Sequence, residues 1–327
     1  MALPKPLAVV IFAAGQGTRM KSNVLKMLHK AAGKPLLGHM IDIARRLSPE
    51  KIIVVVGHQA EAVKQTFAGA DDLSFVLQAE RLGTGHALKQ AKPLLEDFEG
   101  SILVLNGDGP LLLKQQTLDN LLDAQPEDGM AVLTCHTGNP TGLGRIVRDD
   151  SSQVTAIVEE KDADDTQRAI QEINTGIFIF NARVLTFLDK LSNDNAQGEY
   201  YITELVALYL EAGLPVTALM RHDEDELLNC LVNDRTQLAK VERLLRDRIR
   251  NHWLQAGVTM IAPEQTFIDE TVTLAKDVIL YPGVWLIGNT HVGERAVIMP
   301  HAVLTDCQVE AGAVVAGGHV SSKQKLQ

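Results

Sequence analysis

Short runs of hydrophobic residues alternate with amphipathic segments through the first half of the chain. The runs are rich in valine, isoleucine and leucine and have the length of strands: Leu7–Ala14, Lys51–Gly57, Leu73–Leu77 and Ser101–Asn106. The segments between them have helical spacing: Leu36–Leu47, Ala60–Phe67 and Thr84–Leu95. Because strands that alternate with helices form βαβ units, the pattern predicts an α/β fold with a doubly wound, mostly parallel sheet. Later strands are expected at Ala131–His136, Val154–Ile157 and Ile177–Phe180, with a helix over 162–170.

A longer amphipathic segment follows this alternating region. Six hydrophobic residues recur at helical spacing with charged residues between them: Leu238, Val241, Leu244, Leu245, Ile249 and Trp253. The spacing predicts one long helix over residues 234–255. We expect this helix to connect two domains, with the first domain over residues 1–235, the linking helix over 236–256 and the second domain over 257–327.

The hydrophobic spacing changes to six residues after Gly257. Seven aliphatic residues fall at six-residue steps: Ile268, Leu274, Leu280, Leu286, Val292, Ile298 and Leu304. A repeat of six does not fit the 3.6-residue period of a helix. It is typical of a parallel β-helix, in which each short strand contributes one inward side chain. The spacing slips at Val309 and ends at Val315, and we expect the polar remainder from Gly317 to fray.

Composition and charge exclude several classes of protein. Hydrophobic residues make up 46% of the 327 residues and charged residues 22%, which is typical of a globular protein. A formal net charge of −10 disfavours a nucleic-acid coat or an anionic-membrane binder, and an aromatic content of 4% disfavours base stacking along single strands. No hydrophobic run is long enough to span a membrane, and three cysteines stand far apart: Cys135, Cys230 and Cys307. These features predict a cytoplasmic protein with reduced thiols.

A glycine-containing loop directly after the first predicted strand is the strongest chemical signal. It reads Ala13-Ala14-Gly15-Gln16-Gly17-Thr18-Arg19-Met20, and Lys26 follows. Two glycines let the backbone turn sharply and approach a phosphate, and the two cations suit a triphosphate. Met20 stands where a dinucleotide-binding loop has its third glycine, and the P-loop pattern is absent. The loop therefore points to a different kind of phosphate site.

Further strings give the loop a context. They are Gln78-Ala79-Glu80-Arg81-Leu82-Gly83-Thr84-Gly85-His86-Ala87, Asn106-Gly107-Asp108-Gly109-Pro110-Leu111, Pro140-Thr141-Gly142-Leu143-Gly144-Arg145-Ile146, Ile157-Val158-Glu159-Glu160-Lys161-Asp162, Glu172-Ile173-Asn174-Thr175-Gly176, Gly198-Glu199-Tyr200-Tyr201-Ile202-Thr203 and Val232-Asn233-Asp234-Arg235. With the loop G-x-G-T-R-M, these segments resemble the nucleotide-sugar pyrophosphorylase family. Together with the six-residue repeat, they resemble the bacterial N-acetylglucosamine-1-phosphate uridylyltransferases over nearly the whole chain.

Carried over motif by motif, the resemblance implies a role for each segment. The turn after the first strand would hold uracil and ribose through its backbone, at Phe12, Ala13, Ala14 and Gly15. The uracil edge would be read by Gln78, Gly83 and Thr84. Arg19 and Lys26 would be the catalytic cations on the triphosphate, and Asp108 and Asn233 would hold Mg²⁺. The sugar pocket would be lined by Gly144, Glu159 and Asn174, with Asn106 and Gly107 beside it.

The resemblance also implies a reaction and an assembly. The reaction is Mg²⁺-dependent transfer of UMP from UTP to N-acetylglucosamine-1-phosphate, which gives pyrophosphate and UDP-N-acetylglucosamine for peptidoglycan and lipopolysaccharide synthesis. The family fuses this domain to a left-handed β-helix acetyltransferase and forms trimers through the β-helix, so a homotrimer is expected. Roughly fifty residues of six-residue pattern correspond to about three coils here, and the acetyltransferase site is therefore expected to be absent.

Three positions depart from the family pattern. Leu25 precedes Lys26 where the family has proline, and Gly109 follows Asp108 where a β-branched residue is common. Asn106 stands where tyrosine is usual, which keeps open a nucleotidyltransferase for another sugar-1-phosphate such as N-acetylgalactosamine-1-phosphate. Two functions of a different class also stay open: a non-catalytic nucleotide-sugar binding protein, and an acyltransferase acting through the β-helix.

Overall fold

The computed structural model describes residues 6–222, 227–228, 231–321 and 325–326. The chain divides into two compact units. The first comprises Met1–Leu28 and Leu36–Arg235, and the second comprises His29–Pro35 and Thr236–Gln327. Residues 29–35 lie inside the range expected for the first domain but group with the second unit. The roles assigned to the expected domains stay predictions.

The first unit is built on one mixed sheet. Its strands are β1 (Leu7–Ala13), β4 (Lys51–Val56), β5 (Leu73–Leu77), β6 (Ser101–Asn106), β7 (Met130–His136), β8 (Arg145–Arg148), β9 (Val154–Val158), β10 (Glu172–Asn181) and β11 (Val216–Arg221). The order across the sheet is β11-β7-β10-β6-β1-β4-β5, with β8 paired to β10 and β9. Strands β6, β1, β4 and β5 are mutually parallel, whereas β10 runs antiparallel to both of its long neighbours.

Among the residues that the structure describes, the α-helices of this unit are α1 (Leu36–Arg45), α2 (Ala60–Thr66), α3 (Thr84–Ala91), α4 (Gln115–Ala124), α5 (Asp165–Arg168), α6 (Val184–Phe187) and α7 (Leu205–Glu211). Every residue of β1 is buried, as a central parallel strand covered on both faces requires. The predicted α/β class with a mostly parallel sheet is confirmed. The antiparallel β10, the β8–β9 pair and the edge strand β11 enlarge that sheet beyond the predicted parallel core.

The second unit contains the long helix α8 (Arg235–Gln255) and the hairpin β2 (Lys30–Ala31) and β3 (Lys34–Pro35). Twelve short strands follow: β12 (Thr259–Met260), β13 (Phe267–Ile268), β14 (Thr273–Leu274), β15 (Ile279–Leu280), β16 (Trp285–Ile287), β17 (His291–Val292), β18 (Val297–Ile298), β19 (Ala302–Thr305), β20 (Gln308–Val309), β21 (Val314–Val315), β22 (Gly318–Ser321) and β23 (Lys325–Leu326). They form three parallel four-stranded sheets, each taking every third strand. This is the arrangement of a parallel β-helix.

The six-residue repeat fixes which side chains point inward. All seven aliphatic residues of the repeat are buried, and equivalent residues stack between coils, as Ile268, Leu286 and Leu304 do. The slip at Val309 shortens one turn by a residue, because the inward residues Leu304 and Val309 are five positions apart instead of six. The expected fraying from Gly317 is wrong over 318–321, since β22 pairs with β19 along its length.

Arg246 joins three parts of the second unit. Its guanidinium donates to Glu242 on the same helix at 2.6 Å and to the carbonyl of Ile268 on β13 at 3.0 Å. It also contacts Asp269 at 3.3 Å and lies over the stacked rings of Phe267 and Trp285, 5.7 and 5.6 Å from their centroids. Glu242 in turn accepts a 2.5 Å hydrogen bond from the Ala32 amide of the hairpin.

Two further sequence predictions concern the thiols and the membrane. Cys135 and Cys307 are buried as thiols, and Cys230 lies outside the described residues. In the part of the chain that the structure describes, every helix is too short or too polar to cross a bilayer.

Candidate active site

The shape of the loop after β1 depends on one glycine and on one lysine side chain that packs against it. Phe12 and Ala13 end the strand, and Ala14 and Gly15 follow it. Gly17 has φ +62°, and a Cβ there would overlap the Lys26 side chain. The left-handed backbone therefore lets the aliphatic part of Lys26 pack directly against the loop. Lys26 is only 7% exposed, and a lysine is seldom so deeply buried unless it is paired with an opposite charge.

Four charged and polar side chains converge beside this loop. The Lys26 ammonium contacts a carboxylate oxygen of Asp108 and lies 3.3 Å from Oδ1 of Asn233. Arg19 donates to the same Asn233 oxygen at 2.9 Å. Asp108 follows β6, as a ligand-binding residue at the carboxyl edge of a parallel sheet is expected to do. The backbone amide of Val232 donates to the Asp108 carbonyl at 3.2 Å, which brings the segment before α8 to this edge.

The oxygens of Asp108 and Asn233 suit a hard divalent cation. Both oxygens lie close to the ammonium nitrogen of Lys26, so the place between them already favours a positive charge. A carboxylate and an amide oxygen are ligands that Mg²⁺ accepts, with water and phosphate completing its shell. Among the described residues no group of three or more His, Cys, Asp or Glu side chains could hold a metal by itself. The donor set therefore fits an ion shared with a bound phosphate and does not fit a structural metal.

A cavity of about 330 Å³ lies between the loop, the end of β6 and the start of α3. Nine of the predicted site residues line it: Phe12, Ala14, Gly15, Lys26, Gln78, Gly83, Thr84, Asn106 and Asp108. Phe12 and Asn106 are register partners on adjacent parallel strands, and the Gly107 amide donates to the Phe12 carbonyl at 2.9 Å. The pairing of β1 with β6 therefore fixes the distance between Phe12 and Asn106 in the cavity wall.

The loop before α3 is fixed by backbone contacts. Gly83 has φ +105°, and a Cβ there would overlap the backbone of Tyr200. The Tyr200 amide donates to the Leu82 carbonyl at 2.7 Å, and the Gly85 amide donates to the Tyr200 carbonyl at 2.8 Å. Thr84 accepts from the Ile202 amide at 3.1 Å. These contacts connect the loop before α3 to the segment 200–202 on this side of the cavity.

A second group of predicted residues lies around β8, β9 and β10. The Asn174 amide donates to the Gly144 carbonyl at 2.8 Å, and a Cβ at Gly144 would contact the Glu159 carboxylate at 3.3 Å. Asn174 Oδ1 accepts from the Gly176 amide at 2.8 Å, and Asn106 lies against Gly176. The group therefore adjoins the cavity through Asn106.

Glu159 is the electrostatically unusual member of this second group. Burial raises its pKa, while a 3.1 Å hydrogen bond from Thr203 opposes the shift and the charges of Asp162 and Glu199 add to it. The side chain thus has an acceptor oxygen in a poorly solvated place. Such a group binds a hydroxyl donor strongly, because few water molecules compete for it.

The motifs led to most of this site and left out several lining residues. Met27, Arg81, Ala87 and Glu199 also line the cavity. All four lie in or next to the motif segments, although no role was assigned to them. Met27 follows Lys26, Arg81 and Ala87 fall within the segment that carries Gln78, and Glu199 belongs to the segment Gly198–Thr203. The backbone pairing of Tyr200 with Leu82 brings Glu199 to the cavity.

Comparison with known proteins agrees with these observations. The family profile described as nucleotidyl transferase matches residues 8–260. The bifunctional protein GlmU of Pelobacter propionicus is 41% identical over 324 residues, which cover 98% of this chain and 70% of that protein. GlmU of Corynebacterium diphtheriae is 42% identical with coverages of 98% and 67%, and GlmU of Alkaliphilus oremlandii is 44% identical with coverages of 94% and 67%.

A solved structure agrees with the fold alone. A Bacillus anthracis protein assigned as a glucose-1-phosphate thymidylyltransferase superposes with a TM-score of 0.59 at 17% identity, covering 74% of this chain and 96% of that one. The chain spans about two thirds of the length of its GlmU relatives. By fold and by sequence, this nucleotidyltransferase belongs to the nucleotidyl transferase family and, within it, to the GlmU proteins.

Proposed function

We propose that this enzyme transfers UMP from UTP to N-acetylglucosamine-1-phosphate, with Mg²⁺, and releases pyrophosphate and UDP-N-acetylglucosamine. The observation that carries the proposal is the convergence of Arg19, Lys26, Asp108 and Asn233 beside the cavity of about 330 Å³. Two cations and two hard oxygen ligands at one point suit a triphosphate and its metal ion. The match to the nucleotidyl transferase family supports the same reaction class.

The residues divide the work by position. A sugar-phosphate oxygen attacks the α-phosphorus, a new P–O bond forms, and the bond to the β-phosphate oxygen breaks, so pyrophosphate leaves. Arg19 and Lys26 neutralise the charge that grows on the phosphoryl oxygens. Mg²⁺, held by Asp108 and Asn233, would supply further neutralisation of the phosphates. Positioning and charge account for the rate, and no covalent intermediate or general base is required.

The sugar is proposed to bind at Gly144, Glu159 and Asn174. Gly144 keeps space beside the Glu159 carboxylate, because any larger residue there would contact it. Glu159 and Asn174 offer acceptor oxygens for hydroxyl or amide donors of a hexosamine. Asn106 lies between these sugar residues and the group formed by Arg19, Lys26, Asp108 and Asn233. This arrangement suits an acceptor whose sugar binds on one side of Asn106 and whose phosphate reaches the metal site on the other.

The direct test is pyrophosphate release with purified protein. We expect turnover with UTP and N-acetylglucosamine-1-phosphate, and loss of turnover when EDTA removes divalent ions. Asp108→Asn should reduce kcat by roughly a hundredfold or more, because one charged ligand is lost. Asp189→Asn, in an exposed ion pair with Lys92, is the matched control and should leave kcat unchanged. Absence of turnover with UTP and every hexosamine-1-phosphate would overturn the proposal.

N-acetylgalactosamine-1-phosphate is the second candidate acceptor. Asn106 keeps this acceptor open, because a short amide stands where the family pattern has tyrosine and lies against Gly176 at the boundary between the cavity and the proposed sugar residues. Competition between the two N-acetylhexosamine phosphates at equal concentration distinguishes them by the identity of the UDP-sugar formed. Tight binding of UDP-N-acetylglucosamine without any turnover would instead identify a nucleotide-sugar binding protein.

A further inference from the structure

Gln78 is buried in the wall of the nucleobase side of the cavity, and its amide has a fixed orientation. The side chain is 4% exposed. Its Nε2 donates to the Gly83 carbonyl at 3.0 Å and lies 3.1 Å from Nδ1 of His86. A carbonyl oxygen can only accept, so the nitrogen end of the amide must face Gly83. Both hydrogens of that nitrogen then have partners inside the protein.

This orientation determines what Gln78 can offer to a base. With Nε2 engaged twice, the acceptor Oε1 is the group that remains for a ligand. Uracil and thymine carry a hydrogen on N3 and need an acceptor opposite it, whereas N3 of cytosine is itself an acceptor and needs a donor. A Gln78 side chain held in this orientation therefore suits an imide base and opposes cytosine.

His86 can hold this orientation only in one tautomer. To accept from Gln78 at Nδ1, the neutral imidazole must carry its proton on Nε2. Gln90, one helical turn further along α3, places its terminal amide 3.0 Å from that nitrogen. As placed, the Gln90 nitrogen faces His86 Nε2 and also lies 3.4 Å from the His86 carbonyl, whereas the Gln78 nitrogen is held by the shorter 3.0 Å contact with Gly83. Because Nδ1 and Nε2 of a neutral imidazole cannot both accept, the Gln90 amide must turn so that its oxygen meets the Nε2 proton, which gives up only the long contact with the carbonyl. The ring of Tyr200 lies 6.3 Å from the imidazole between centroids.

We propose that His86 is a positioning residue that selects the nucleobase. Gln90 fixes the tautomer of His86, His86 holds the Gln78 amide, and Gln78 presents an acceptor to the N3–H of uracil. His86 itself is not among the residues that line the cavity, so its proposed action on the base runs through Gln78. The inference rests on the proposed use of UTP and adds the means by which the base is chosen.

The test is the ratio of kcat/KM for UTP to that for CTP. His86→Leu removes the acceptor at similar size and leaves a buried amide hydrogen without a partner, which corresponds to about one net hydrogen bond. We expect the UTP/CTP ratio to fall roughly tenfold, through KM, with kcat for UTP within about twofold of the original enzyme. His86→Asn keeps an oxygen acceptor near the Nδ1 position and should restore most of the ratio. Gln90→Leu should lower the ratio in the same direction by a smaller factor.

Lys89→Leu on the same helix is the matched control, because Lys89 is exposed and pairs with Asp189. An unchanged UTP/CTP ratio in both His86→Leu and Gln90→Leu would overturn the inference while leaving the proposed function intact. An equal loss with both nucleotides in kcat would also overturn it, since that result marks a purely structural role. If the unaltered enzyme fails to use UTP in preference to CTP, the proposed function and this inference both fail. Thermal unfolding of each variant shows whether it is folded. If His86→Leu does not fold, the UTP/CTP ratio of Gln90→Leu alone tests the inference.

Discussion

Lys26 shows how far a single residue could be interpreted from the sequence. The motif placed it beside a phosphate loop, and its spacing from Arg19 was the only reason to single it out. Lys26 contacts Asp108 and Asn233, which lie 82 and 207 residues further along the chain, and no periodicity links these positions. The resemblance suggested that these residues act together, and the sheet topology supplies the physical reason, because the ends of β1 and β6 are neighbours.

Gly17 makes a prediction that separates backbone strain from site geometry. Gly17→Ala places a Cβ in a left-handed conformation, which costs about 1–2 kcal/mol of unfolding free energy, and also pushes against Lys26. Gly69→Ala has a similar backbone, with φ +92°, but nothing within 4 Å of the added atom. We expect both variants to lose similar stability in thermal unfolding. Only Gly17→Ala should also lower kcat, and equal kcat in the two variants would contradict the packing of Lys26 on the loop.

Glu159 makes a prediction about pH. Because its pKa in the folded protein is raised above the ordinary 4.5, the folded state binds the proton more tightly than the unfolded state does. Its contribution to stability is therefore complete below pH 4.5 and is lost as pH rises through the raised value. Glu159→Gln should remove this dependence and raise Tm at neutral pH, while raising KM for the sugar phosphate.

Thermal unfolding of both proteins between about pH 4 and 8 measures the first part of this prediction, and initial rates measure the second. If Tm changes with pH in the same way in Glu159→Gln and in the original protein, burial does not raise the pKa of Glu159 and the prediction is contradicted. Thr203→Val, which removes the hydroxyl that donates to Glu159, should lower Tm most at the alkaline end of the range.

At the scale of elements, the hydrophobic pattern predicted the parallel strands well, because β1, β4 and β6 are almost continuously buried and the edge strand β5, although only partly buried, is still largely apolar. The strands Leu73–Leu77 and Ser101–Asn106 have the predicted bounds. β10 was expected only over 177–180 and extends back to Glu172, because a register shift between Asn174 and Ile177 interrupts its alternation. Edge strand β11 is half-buried except at the exposed Met220 and has no clear period, so its pattern gave no signal.

Arg246 makes the prediction that belongs to this scale. Arg246→Met leaves Asp269, which is 7% exposed, without its charged partner, so we expect the second unit to lose about 3–5 kcal/mol of unfolding free energy. Arg248→Met, two residues further along the same helix and paired with Glu270 near the surface, should change it by about 0–1 kcal/mol. Both tryptophans, Trp253 and Trp285, lie in this unit, so their fluorescence in denaturant follows its unfolding directly. Equal losses in the two variants would contradict the central role of Arg246.

At the scale of the whole molecule, we predict a homotrimer formed through the β-helix. Ile279, Val297 and Val314 lie in register on the outer face of the sheet β12-β15-β18-β21, and Val314 is 64% exposed. Such an apolar ladder is stabilised when another subunit covers it. Light scattering should give three times the chain mass of 35.6 kDa, and Val314→Asp should shift the population towards smaller species. A monomer at micromolar concentration would contradict the prediction.

The hairpin of residues 29–35 has a consequence for how this chain is made. The amide of Ala32 is bonded to a carboxylate 210 residues later, so this short segment leaves the ribosome long before the helix that secures it. At roughly 5–20 residues per second, the nascent chain waits on the order of ten to forty seconds for that helix. During this interval the whole nucleotide-binding sheet can assemble, whereas the loop that carries Lys26 leads into a hairpin not yet anchored. The proposed catalytic centre therefore cannot be completed before residues 233–242 have been translated, because Asn233 contacts Lys26 and Glu242 secures the hairpin.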